Sequence, residues 1–461
     1  MTCPSGVLPA AGVAGLVAAL TVPVDRPGIG WLLAGSASVA AVIVVDRRAR
    51  GAAGAVTGRG WERIWWTAVA LALLAVGVVR AAEWLFVLCA VAAAVAGSLA
   101  VIGRRSVHGV LYDAIAVPLS SFGALAWVYT ALGRAREGVG TRHRRLGVSA
   151  VATVALLLVF VPLLGSADAT FGALVVGLVP NLDGDSVARW LVVFAVAGTA
   201  AVSAMYLLAG PPPAAEERQG VSGRTLSRTE WGLPVGALTV VFAVFVAAQL
   251  VALFGGDGYV QRTAGLTYAE YARSGFWQLS AVTVLTLAVI LAVLRWAAKD
   301  STADRRWLRV LLCAISGLTL VILASALGRM WTYQQAYGFT VLRLLVETCE
   351  LWLGVVYVLV VVAIMRLELT WLPRAAVGTA TAALLALAAL NPEALIADRN
   401  IDRWQHGKNL DTDYLAELSL DVLPAADRLP DPLRTQLRGR LLHRAGEDTW
   451  NSWNLSRANA R

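Results

Sequence analysis

Lysine is nearly missing from this chain: Lys299 and Lys408 are its only two, and the rest of its 39 basic residues are arginine. Charged residues make up 15% of the sequence, against about 25% in an ordinary soluble domain. Four cysteines, Cys3, Cys89, Cys313 and Cys349, contain no close pair, which excludes a disulfide framework and zinc-type spacing. The four histidines, His108, His143, His406 and His443, are scattered, with no metal-type partner at i+3 or i+4. No metal or other cofactor is therefore expected. The chain also has no Walker loop, nucleophile elbow, HExxH or kinase core. Nothing in it identifies an enzyme.

Apolar residues are present in abundance. They form 58% of the chain, with a mean hydropathy of +0.67. They come in runs of about 18 to 24, which is bilayer length at 1.5 Å rise per residue. Eleven spans are expected, near 6–24, 27–45, 64–80, 83–102, 146–166, 188–209, 231–254, 276–295, 308–327, 341–365 and 374–391. The first run has no basic leader and no small-residue cleavage site, so it reads as a retained span. The Ala, Val, Arg and Gly bias matches a GC-rich bacterial genome.

The loops between these spans set an orientation. One alternate set carries 22 Lys and Arg, from Arg47 to Arg374; the opposite set carries 7, and the tail after the last span carries 10. Positive charge collects on the cytoplasmic side. The expectation is a multi-pass protein of the bacterial plasma membrane, with a cytoplasmic N-terminus and an extracytoplasmic C-terminus. The net charge of +9 is thereby explained without nucleic acid. The fold class expected is all-α: a polytopic membrane protein of about eleven transmembrane helices, one interfacial or re-entrant segment, and a small extracytoplasmic helical tail.

Residues 109–133 are apolar enough to span, yet arginine clusters flank both ends. A full crossing would reverse the parity of everything on one side. The segment is therefore expected to be a re-entrant or interfacial hairpin on the cytoplasmic side, kinked at Pro118, with Asp113 near its start. The division expected is a four-span region (1–105), this segment with its basic loop (106–145), a seven-span core (146–391) with outer loops 167–187, 256–275 and 328–340, and the tail (392–461). A Gly/Pro-rich inner loop at 210–225 splits the chain roughly in half.

In the tail, Asn391-Pro392-Glu393 starts a helix expected to stop at Gly407. Asp411 caps a second, and a third runs from Asp431 to His443. Beyond Gly446 the sequence predicts a loosely ordered or membrane-surface segment around Trp450 and Trp453. The tail is expected to dock on the outer loops or on a partner.

Charge inside a span is costly, about 2.5–3.5 kcal/mol per residue near the bilayer centre on insertion scales. Arg343, Glu347 and Glu350 in the tenth span stand at i, i+4 and i+7, on one helix face. Tyr357 lies two turns on. They are the candidate ligand or proton site; the structural alternative is an Arg–Glu pair that locks helices together. A candidate outer vestibule collects Tyr268, Glu270, Tyr271, Arg273 and Trp277 before the eighth span, and Arg329, Tyr333 and Tyr337 before the tenth. Their aromatic and charged groups suit a sugar, a lipid headgroup, a peptide or a partner protein. Asp183 and Asp185 read as a solvated turn more readily than as a metal site.

Three strings, LTYAEYARSGFWQL (266–279), YGFTVLRL (337–344) and ALIADRNIDR followed by LDTDYLAELSLDVLPA (394–403 and 410–425), occur in order. In these the chain resembles a family of polytopic bacterial membrane proteins, common in actinobacteria and known as a domain of unknown function. The resemblance covers about residues 60–455. It implies many spans and an outer helical tail, and it carries no activity. The family's YGxTxLR pattern does not extend to Glu347 and Glu350.

The function expected first is binding or transport of a small molecule or envelope lipid precursor at an outward-facing polar site. Arg343 would hold an anionic group and Glu347 would be the proton-linked acid. The partners expected are the lipid bilayer, that ligand, and an envelope protein. The alternatives are an envelope sensor or scaffold acting through its outer loops and tail, and a membrane-embedded transferase using outer-loop acids.

Overall fold

A computed structural model describes residues 6–51, 60–102, 110–135, 184–209, 226–264 and 276–460. Among these residues there are helices and no strand; one isolated bridge joins Leu226 to Ala297. Nine of the described helices are long and apolar enough to cross a membrane. The protein is an all-α, polytopic membrane protein. The expected first span is a shorter apolar helix of 15 residues. The expected span at 146–166 and most of the expected outer loops 167–187 and 256–275, with Asp183, lie outside the described residues. The chain divides into two units: Met1–Ala214 with Glu447–Asn459, and Ala215–Gly446.

The first unit contains α1 (Val7–Thr21), α2 (Ile29–Gly51), α3 (Gly60–Val79), α4 (Glu83–Ile102), α5 (Val110–Leu119), α6 (Ser121–Ala135) and α7 (Gly184–Ala209). Helix α1 packs on α2 and α7 through small side chains, Ala11, Ala14, Gly15 and Ala18. Lipid offers no hydrophobic drive for helices to associate, so close backbone approach supplies the contact. At Gly15 a Cβ would meet the Phe194 carbonyl oxygen at 3.0 Å. Val13, Leu16 and Leu20 of the same helix are exposed, as a lipid-facing surface requires.

Residues 110–135 form two helices that meet at Ser120, two residues after Pro118. Helical bonds run through the junction, from Ser120 N to Ala116 O and from Ala124 N to Ser120 O, each at 2.8 Å. Helical bonding thus carries over from α5 to α6, and both pack on α7. Hydroxyls serve the backbone where proline interrupts the ladder. Ser120 Oγ donates to Val117 O at 3.0 Å, and Ser98 Oγ of α4 donates to Asp113 O at 2.5 Å. Such local repair is what lets a broken helix survive among apolar neighbours.

The segment beyond Gly446 corrects the expectation of loose order: it is folded and docked. Asn454 Nδ2 donates to Gly77 O at 2.8 Å and Arg80 O at 2.9 Å, beside the α3–α4 turn. Arg457 pairs with Asp448 at 2.8 Å and donates to Pro27 O at 2.7 Å and to Ser452 O. Ile29 N donates to Trp453 O at 3.0 Å. The sequence hides this because the polar groups concerned look solvated; three of the carbonyls they bond, those of Gly77, Arg80 and Pro27, are more than 370 residues away.

The second unit contains α8 (Arg228–Ala264), α9 (Phe276–Trp296), α10 (Thr302–Tyr337), α11 (Val341–Arg366) and α12 (Leu372–Leu390). Helix α10 is central, packing on α8, α9 and α11 around Leu308, Leu312, Ile315, Ile322 and Tyr357. Ser301 and Asp304 form a reciprocal capping box at its start, and Arg228 pairs with Asp304 at 2.7 Å. Its 36 residues make a rod of about 54 Å, longer than the roughly 30 Å hydrocarbon core.

The tail then folds as α13 (Pro392–Gln405), α14 (Thr412–Glu417), a 3-10 turn (Leu420–Val422), α15 (Leu423–Ala426) and α16 (Leu433–Ala445). Gly407 follows α13 at φ +82, and Asp411 accepts from Tyr414 N at 2.9 Å, both as expected. Ile396, Ile401, Leu415, Val422, Leu437 and Leu441 form its core, and Phe339 from the α10–α11 turn joins them.

Candidate functional site

Three residues, Gly338–Thr340, join α10 to α11. Gly338 has φ +91, and a Cβ there would lie 2.9 Å from Asn400 Oδ1 and 3.0 Å from Arg403 Nη1. Only glycine satisfies both the left-handed backbone and that space. The last carbonyls of a helix have no partner within it and carry the negative end of its dipole. Here two guanidinium groups serve them. Arg403 Nε donates to Gln335 O at 3.0 Å and its Nη2 to Ala336 O at 2.9 Å. Arg343 Nη1 donates to Tyr337 O at 3.2 Å and to Gly338 O.

Asn400 completes the clasp with a two-way amide contact. Phe339 N donates to its Oδ1 at 2.9 Å, and its Nδ2 donates to Phe339 O at 2.8 Å. The Tyr414 hydroxyl accepts from Val341 N at 2.8 Å. Burial lowers the proton affinity of Arg403, and the nearby Arg343 adds to the shift. Burial raises that of the Tyr414 phenol. The tail is thus fastened to the α10–α11 turn by polar groups of α13 and α14.

Below this turn the polar side chains of α9, α10 and α11 converge. Glu347 is half-buried and accepts from Gln334 Nε2 at 3.1 Å. Glu350 is buried, and its Oε1 accepts from Ser280 Oγ at 2.7 Å. Gln334 Oε1 and Glu350 Oε2 are buried with no hydrogen-bond partner. Two turns on, the buried Tyr357 hydroxyl donates to Thr283 O at 2.6 Å.

The shared helix face of Arg343, Glu347 and Glu350 therefore holds, but Arg343 and Glu347 have different partners. Arg343 stacks 4.5 Å over the Tyr333 ring, and its Nη2 donates to the Tyr333 hydroxyl at 3.4 Å. The Tyr333 and Tyr337 rings stand 4.8 Å apart. Tyr337 is 54% exposed and Trp277 65% exposed; Arg329 is half-buried on α10. Tyr268, Glu270, Tyr271 and Arg273 lie outside the described residues. Among the described residues no group of three His, Cys, Asp or Glu could hold a metal ion.

Sequence reasoning missed Gln334, Ser280, Asn400 and Arg403. Asn400 and Arg403 had a signal: they stand at i and i+3 on the tail's first helix, inside one of the strings behind the resemblance. Gln334 and Ser280 had none, since a single amide or hydroxyl in a span is unremarkable.

No curated protein and no solved structure matches the chain significantly. The sequence profile of a family described as a domain of unknown function, DUF4153, matches residues 68–429. That stretch takes in α4 to α13, the α10–α11 turn, Asn400, Arg403, Tyr414 and the two acids of α11, and on it the chain belongs to the DUF4153 family.

Proposed function

We propose that this is a multi-pass plasma-membrane protein that binds or moves a small molecule or envelope lipid precursor at a polar site opening outward between α9, α10 and α11. One observation carries the reading: Gln334 Oε1 and Glu350 Oε2 are buried side-chain acceptors with no donor. Buried polar atoms without partners are costly, and a ligand that brings donors would relieve them. Exposed Tyr337 and Trp277 suit the rim of such a site.

Purified protein in lipid nanodiscs would be tested by mass spectrometry of the small molecules released on denaturation. Glu347→Gln is expected to lose the bound species while keeping membrane abundance. Lost abundance, with wild type releasing nothing specific, would overturn the reading. Arg343→Ala is the poorer probe, because it also strips the α10 carbonyls of their donor.

The docked segment supports the proposed orientation. It bonds to residues around both the α1–α2 and α3–α4 turns, which places all three on one face. From the α3–α4 turn to the tail the described spans α4 and α7 to α12 number seven. One further crossing between α4 and α7 would make the count even and return the chain to that face. We assign that crossing to 146–166 rather than to 110–135, the less apolar of the two, and this keeps the arginine-rich loops cytoplasmic.

A second reading, an envelope sensor or scaffold, is supported by the tail's own folded core and its fastening to the α10–α11 turn. Loss of crosslinks to an envelope protein on deleting 392–446 would favour it.

A further inference from the structure

Glu350 is 4% exposed and lies nine residues into α11, about 13 Å along the axis at 1.5 Å per residue. Ser280 Oγ on α9 is the one hydrogen-bond donor to its carboxyl group, at 2.7 Å to Oε1. Among the described residues, the groups around it offer no compensating charge. On its own helix stand Glu347, one turn nearer the start, and Cys349. Helix α9 presents Ser280, and α10 presents Gln334 to the neighbouring Glu347. No described cation forms a salt bridge with it: Arg343 is turned to the α10 carbonyls and the Tyr333 ring.

An ionised carboxylate so placed, beside a second acid, would be heavily penalised. A neutral carboxylic acid would not, and its hydroxyl adds a donor to a cluster short of donors. Ionisable groups inside spans mark proton or substrate paths.

We propose that Glu350 is a reversible proton site, protonated while the cluster is empty and giving its proton to water when a ligand donor takes over Oε2. One proton moves between the carboxyl group and water; no electron moves. The coupling to a ligand rests on the function proposed above. The proton site itself rests on burial and partner geometry.

The full chain in lipid nanodiscs would be followed by infrared difference spectroscopy. Wild type is expected to show the carbonyl stretch of a protonated carboxylic acid, shrinking as pH rises. Glu350→Gln removes that band and Glu347→Gln keeps it. Ser280→Ala removes a hydrogen bond that favours the ionised form, so its band persists to higher pH. Glu350→Gln mimics the protonated acid and is expected to keep wild-type abundance and thermal stability. An identical spectrum in wild type and Glu350→Gln, a band indifferent to pH, or a sharp loss of Glu350→Gln from the membrane would each overturn the assignment. The spectrum reads the proton alone. The ligand reading fails separately, if the wild-type protein releases no specific small molecule.

Discussion

Arg457→Ala probes the docked segment most directly. Arg457 is 4% exposed, and its ion pair with Asp448 is similarly enclosed. Burial pulls the guanidinium below its usual proton affinity, and Asp448 pulls the other way. The substitution takes the cation from a buried carboxylate and the donor from Pro27 O and Ser452 O. Breaking one side of a buried pair costs about 3–5 kcal/mol. At 1.36 kcal/mol per tenfold, even about 3 kcal/mol shifts local opening of 447–459 by roughly 150-fold. The loss would appear as local release rather than global unfolding, because the α1–α7 packing does not use these residues. Hydrogen exchange in nanodiscs would report it at the amides of Ile29, Arg457 and Ala458, each bonded within this contact. The double variant Asp448→Leu with Arg457→Met removes the charge mismatch and is expected to recover part of the protection. Exchange in Arg457→Ala within about tenfold of wild type would refute the claim that this pair holds the segment.

Two further substitutions test the turn and the topology. Gly338→Ala forces a Cβ into φ +91 and against Asn400 and Arg403; a cost of about 1–3 kcal/mol should lower the thermal midpoint and speed exchange at Phe339 and Val341, and an unchanged midpoint would refute the clasp. Gly140→Cys, in a chain whose four native cysteines are replaced by serine, should react with a membrane-impermeant maleimide only after the cells are opened; labelling in intact cells would transfer the crossing from 146–166 to 110–135.

The helical class and the span order were legible because a bilayer imposes a coarse rule: about twenty apolar residues per crossing. The tail's helices were legible through Asn391-Pro392, Gly407 and Asp411, which act within a few residues of themselves. What the sequence could not disclose was pairing at a distance. Arg343 has Glu347 one turn away, and spacing alone would join them. The turn at Gly338 instead brings four bare carbonyls within reach of Arg343 and Arg403, and those carbonyls win. Such acceptors are invisible in a sequence, because every residue has one.

The same reasoning separates two roles that the sequence had merged on one helix face. Residues 337–344 and 394–425 are two of the strings behind the family resemblance, and in the structure they meet: Gly338 against Asn400, Phe339 bonded to Asn400, Val341 bonded to Tyr414. Asn400, Arg403 and Tyr414 all find backbone partners in that meeting, which is what a structural fastening requires. One and two turns deeper, Gln334 and Glu350 keep acceptors without donors. A fastening that left them so would be a poor one, since filling those positions with apolar side chains would be nearly neutral or stabilising. Function is therefore better sought at the incompletely bonded Gln334 and Glu350 than at Arg343, whose unusual place in a span is accounted for by the helix end it caps.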